Sequence, residues 1–71
     1  MVEVRAEFVG TVVSVDCAVD LAVELGAPLL SIESMKMEYP IVSSAKGRVS
    51  KVCVNVGDVV EENQVLVSIR L

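Results

Sequence analysis

The chain has 71 residues, ten acidic and six basic for a formal charge of −4, and it is 54% hydrophobic with no histidine. A chain this small forms one domain that buries only about 60% of its unfolded surface. It lacks the basic face and stacking rings that nucleic acid requires, and without histidine the commonest general base, the Ser/His and Cys/His nucleophile pairs and histidine metal sites are absent. No apolar run approaches the roughly 18–20 residues of a membrane span, and the start MVEVRAEF has neither the basic cluster nor the apolar block of a signal peptide. The expectation is a soluble, cytoplasmic, non-catalytic protein.

Val2, Val4, Ala6 and Phe8 alternate with Glu3, Arg5 and Glu7, the period of a half-buried strand. Val12–Cys17 reads as a second strand and Pro28–Glu33 as a third. Between them, residues 16–26 admit two readings. Asp16 as a cap and Gly26 as a stop suit a short helix, whereas an internal repeat places a turn at Asp20-Leu21, and the repeat is the stronger guide. Met37–Val42 is extended, as Tyr39 before Pro40 should be. Gly47–Val56 reads as one long strand in which Val52, Val54 and Val56 point inward and Cys53 points out. Gly57-Asp58 is a turn signal, and Val65–Leu71 is the last strand. The repeat matches Cys17 with Val54, so Cys17 points inward and the two thiols face opposite ways. Many short strands with closely spaced turns imply an all-β sandwich or flattened barrel.

The repeat has an offset of 37 residues and brings nine identical pairs into line, among them Gly10 with Gly47, Val12 with Val49, Leu29 with Leu66 and Ile32 with Ile69. Residues 1–34 map onto 38–71, and Met35-Lys36-Met37 alone is left over. Lys36 therefore stands at the joint between two copies of a β-unit, at one end of the domain, with both termini at the other. An ordinary polar turn would explain a surface lysine. It does not explain two methionines placed beside one, because exposed thioethers suit a surface that a partner grips.

Glu33-Ser34-Met35-Lys36-Met37-Glu38 resembles the acceptor motif E-A-M-K-M-E of the biotinyl (biotin carboxyl carrier) domain family. The similarity extends through Gly10-x-Val12, Gly47-x-Val49, Val56-Gly57-Asp58-x-Val60 and Val65-Leu66-x-x-Ile69, and is greatest to the short biotin/lipoyl attachment proteins. Ser34 replaces the usual alanine, the first half lacks the glycine-aspartate turn, and halves of equal length leave no room for the thumb insertion of some carriers. The resemblance implies a flattened barrel of two four-stranded antiparallel sheets with quasi-twofold symmetry. It implies that Lys36 is acylated by a biotin protein ligase, that Met35 and Met37 favour biotin, and that Glu33 and Glu38 frame the hairpin. It also implies that the arm carries a carboxyl group between carboxylase and carboxyltransferase sites, on a chain that is monomeric by itself.

A free lysine has a pKa near 10.4 (about three units above neutrality), so an exposed one does not acylate unaided. Two other readings stand beside the biotin carrier. One is a lipoyl carrier with lipoate on the same lysine, although its hairpin usually reads D-K-A or D-K-V. The other is an unmodified interaction module.

Overall fold

The computed structural model describes residues Met1–Leu71. Eight strands follow one another: β1 (Val2–Arg5), β2 (Gly10–Val15), β3 (Ala22–Val23), β4 (Pro28–Ser34), β5 (Met37–Val42), β6 (Gly47–Val52), β7 (Val59–Val60) and β8 (Val65–Arg70). They build two four-stranded sheets, ordered β1-β8-β6-β3 and β5-β4-β2-β7, with every pairing antiparallel. The result is a flattened barrel of 32 × 17 × 17 Å.

The offset of 37 converts one sheet into the other, β1 to β5, β2 to β6, β3 to β7 and β4 to β8. Each sheet draws two strands from each half of the chain, so neither half holds a complete sheet. The turns and crossovers obey the same symmetry. Their 14 backbone hydrogen bonds fall into equivalent pairs, such as Asp16 N–H to the Leu29 carbonyl at 2.8 Å and Cys53 N–H to the Leu66 carbonyl at 2.9 Å.

The repeated apolar residues are the core. Val12, Val23, Leu29 and Ile32 are buried together with their counterparts Val49, Val60, Leu66 and Ile69 in one cluster. Identity at these positions has a packing cause, since the symmetry puts each residue and its counterpart in equivalent places in one core. The two repeated glycines have a steric one. A Cβ on Gly10 would run into Ile32 Cγ2 and lie 2.7 Å from the Glu33 carbonyl oxygen, and one on Gly47 would meet Ile69 and Arg70 in the same way.

No helix forms between residues 16 and 26. The segment turns at Val19-Asp20, pairs briefly as β3 and turns again at Leu25-Gly26. Asp20 has φ 75° where its equivalent Gly57 has 95°, and Gly26 has 85° where its equivalent Asn63 has 70°. Each half thus places one glycine and one polar residue in the left-handed region, at exchanged positions.

Two expected strands are shorter than the alternation suggested. The first ends at Arg5, with a bulge after Val4, and Ala6 then bonds with Gln64 and Asn63. The sixth ends at Val52, and Val56 is 62% exposed instead of inward. The cause is a crossover. Gly57 N–H donates to the Val12 carbonyl of the opposite sheet at 2.8 Å, so the chain leaves its strand before Val56. Val54 is buried, Cys53 is exposed and Cys17 is half-buried against the core; both thiols are free. Burial, and after it the Asp16 carboxylate, push the Cys17 thiol above its usual pKa.

Candidate functional site

Strands β4 and β5 are in register, Ile32 opposite Tyr39, Glu33 opposite Glu38 and Ser34 opposite Met37. Only Met35 and Lys36 are left to connect them, with φ 53° and 65°. A two-residue loop with both φ values positive is a type I′ hairpin turn, whose twist matches the right-handed twist of its strands. The three residues left over by the repeat therefore divide. Met35 and Lys36 form the loop, and Met37 is the first residue of β5.

Asn-Gly is the usual occupant of such a turn. Left-handed geometry costs an ordinary L-residue roughly 1–2 kcal/mol, and here a methionine and a lysine both adopt it. The surrounding ladder holds them there, which is the setting in which backbone strain accompanies a site. Met35 is 91% exposed, and Lys36 is exposed beside it. No hydrogen bond or ion pair engages the Lys36 ammonium.

Glu33 and Glu38 stand directly across the ladder, both exposed and neither in an ion pair. Like charges in that arrangement repel. Ser34 is half-buried at the end of β4. Met37 shares a face of β5 with Tyr39 and Ile41, and remains 60% exposed. The Tyr39 hydroxyl donates to the Met37 sulfur at 3.8 Å, and the Phe8 ring meets Tyr39 edge-on at 4.8 Å between centroids. Tyr39 thus contacts both Met37 and Phe8, the other aromatic residue of the chain. The amino-acid sequence alone did not place Phe8 or Tyr39 at the hairpin; the i, i+2 spacing of Met37 and Tyr39 was the available signal.

The hairpin and the termini lie at opposite ends. Val2 pairs with Ile69 beside the C-terminus, and the chain then runs on to Phe8, which packs on Tyr39 of the strand that leaves the hairpin. No cluster of three acidic or cysteine side chains converges as metal ligands. The hollow nearest the hairpin is an open groove lined by Glu3, Arg5, Phe8, Tyr39 and Val42 among others, and Lys36 is not part of it. The geometry presents an amine outward and assembles no reaction chamber around it.

The profile of the biotin/lipoyl family, described as "Biotin-requiring enzyme", matches residues 22–69. A curated relative, "Biotinylated protein TB7.3 homolog" from Mycobacterium leprae, is 41% identical over 64 residues, 90% of each chain. Among solved structures, the urea carboxylase of Kluyveromyces lactis superposes with a TM-score of 0.92 at 29% identity over 97% of this chain. A single-chain, multi-domain long-chain acyl-CoA carboxylase does so with a TM-score of 0.86 at 32% identity over 93%. This chain spans only 6% and 7% of those two enzymes.

Proposed function

This chain belongs to the biotin-requiring family of attachment domains, and we propose that Lys36 is its acceptor, acylated by a biotin protein ligase. The observation that carries the reading is the strained two-residue turn, which holds an unpartnered amine at the tip of a rigid hairpin. The residues fit the group. Acylation needs a primary amine that a second protein can reach, and the exposed side chains around Lys36 leave it accessible.

The scaffold orients the amine and leaves its activation to the ligase. In the acylation the ligase would supply biotinyl-adenylate: the lysine nitrogen gives up a proton and forms a C–N bond to the acyl carbon, the acyl C–O bond to phosphate breaks, and AMP leaves with that electron pair. Met35 and Met37 offer the ligase apolar thioethers on either side of the lysine. Tyr39 donates to the Met37 sulfur, and Phe8 packs edge-on against Tyr39. Bound biotin supplies a ring nitrogen that accepts and releases a carboxyl group. The chain contributes position, because an arm on a rigid tip raises the effective concentration of its load at a second site.

The likeness to carrier regions of two carboxylases supports biotin carboxylase and carboxyltransferase components as partners. We assign the domain to the cytoplasm as a monomer when alone. The test is intact mass after co-expression with a biotin ligase, for the parent and for Lys36→Arg. The parent should gain one biotinyl group and the variant none, with an unchanged circular dichroism spectrum. Biotin retained on the variant overturns the assignment. A lipoyl mass on the parent would favour the lipoyl carrier instead.

A further inference from the structure

The symmetry that relates the two sheets fails in the charge of their outer faces. The β6–β8 face carries Arg48, Lys51 and Arg70, where the equivalent positions of the β2–β4 face carry Thr11, Ser14 and Glu33. Arg48 and Arg70 are direct cross-strand partners, and Lys51 stands opposite Ser68. Opposed residues hold their Cβ atoms about 4.5–5.5 Å apart and diagonal ones about 7–8 Å apart, so the three cations share one patch. All three are exposed.

This patch is uncompensated. The ion pairs of the chain are Arg5 with Glu3 at 2.6 Å and Lys46 with Glu24 at 4.0 Å, and neither involves the three. Glu3 lies in the row of Ser68 and Lys51 but is held by Arg5. Arg48 donates to the backbone carbonyl of Asp20 at 2.9 Å and to no carboxylate. Two arginines directly across a ladder repel. The fold does not require them, since Thr11 opposite Glu33 occupies the same backbone positions in the other sheet. On a chain of net charge −4 this is a concentration of cations in which Lys51 and Arg70 have no partner and Arg48 has only a backbone carbonyl.

The patch also has a telling position. Arg70 follows Ile69, the partner of Val2, and Arg48 follows Gly47, so the arginine pair sits at the end of the barrel away from Lys36. We propose that the Arg48–Lys51–Arg70 face is a docking surface for an acidic patch on a partner protein, which holds the domain by its far end while the hairpin stays free to move. The choice of partner rests on the carrier reading above; the surface does not. Three cations match a local acidic patch. A nucleic acid or an anionic membrane would also confront the remaining negative surface, and both aromatic rings lie elsewhere, under the hairpin.

The test uses a ten-residue polyglutamate peptide titrated into the isotope-labelled domain at about 0.01 M salt, where charge acts over about 30 Å. Saturable shifts are expected at Arg48, Lys51, Ser68 and Arg70, and they should largely collapse at about 0.15 M salt. The variant Arg48→Thr/Lys51→Ser/Arg70→Glu copies the opposite sheet, whose backbone already accepts those residues. It should bind about tenfold more weakly with its fold and its biotinylation unchanged. Absent shifts, shifts centred on the hairpin, or undiminished binding by the variant overturn the proposal. Tighter binding of duplex DNA or phosphatidylserine vesicles at the same residues overturns the acidic-protein partner. Peptide binding on a chain whose Lys36 is never acylated would defeat the acceptor assignment and leave this surface supported.

Discussion

Asp20 and Gly57, 37 residues apart, hold the same backbone conformation and make the same bond: each N–H donates at 2.8 Å to a valine carbonyl, Asp20 to Val49 and Gly57 to Val12. Each bond ties a crossover to β6 or β2. The two turns are not equally well made. Asp58 Oδ2 accepts the Asn55 N–H at 2.8 Å in the second, while the corresponding places in the first hold Leu21 and Ala18.

The first crossover can therefore be improved with the residues of the second. Asp20→Gly removes the penalty for positive φ and should be neutral or stabilising by up to about 1 kcal/mol. Leu21→Asp should add about 0.5–1.5 kcal/mol through the missing hydrogen bond to Ala18 N–H. Urea denaturation reads both. A loss of stability in Asp20→Gly would contradict the left-handed turn.

Gly10 and Gly47 admit no Cβ, because backbone and isoleucine atoms occupy its place. Alanine at either position should destabilise by about 1–3 kcal/mol through overpacking. The two losses should be similar, since the same kind of neighbours is displaced. Thermal unfolding of the two single variants checks this, and a neutral result at one glycine only would show the halves to be less equivalent than their bonds indicate.

The two hairpin methionines should separate in experiment. Met35 touches almost nothing at 91% exposure and stands where φ is positive, so Met35→Asp should change stability by no more than about 0.5 kcal/mol. Met37→Ala removes the sulfur contact of Tyr39 and should cost slightly more. Both should slow biotinylation, and the double variant should begin to accept lipoate from a lipoyl ligase. Initial rates with the purified ligases decide it. A large fall in the unfolding midpoint for Met35→Asp would mean that the side chain is packed.

The cysteines should differ in reactivity. Cys53 is exposed, whereas Cys17 is half-buried with its thiol pKa raised by burial and by Asp16. Iodoacetamide at neutral pH should alkylate Cys53 first, as peptide mass mapping would show. The fold favours the neutral thiol, so this contribution is present below the unfolded pKa near 9.0 and is lost as pH rises through the higher folded value. Cys17→Val, which copies the equivalent Val54, should lose less stability between pH 8 and pH 10 than the parent does.

Much of the attachment site was readable in one dimension. Met35-Lys36-Met37 stood out as the remainder of the repeat, and Glu33 and Glu38 appeared close on either side of the lysine. Alternation is local, so it marked Val2, Val4 and Ala6 as strand-like without any knowledge of their partners. What the alternation did not contain was the end of each strand. Val56 continued the pattern of Val52 and Val54, yet it is exposed because a bond from Gly57 to the opposite sheet takes the chain out of its strand.

The repeat by itself determined that the chain is two like β-units joined at Met35-Lys36-Met37 and which apolar positions the two units share. Tertiary pairing alone decided the rest. The register of β4 on β5 reduced the loop to Met35 and Lys36 and forced both into left-handed geometry. The fold of β1 toward the hairpin brought Phe8 onto Tyr39 across 31 residues of sequence. The pairing of β6 with β8 set Arg48 against Arg70. Each of these relationships depends on hydrogen bonds between distant segments, and periodicity within a segment holds no information about which distant segment will lie beside it.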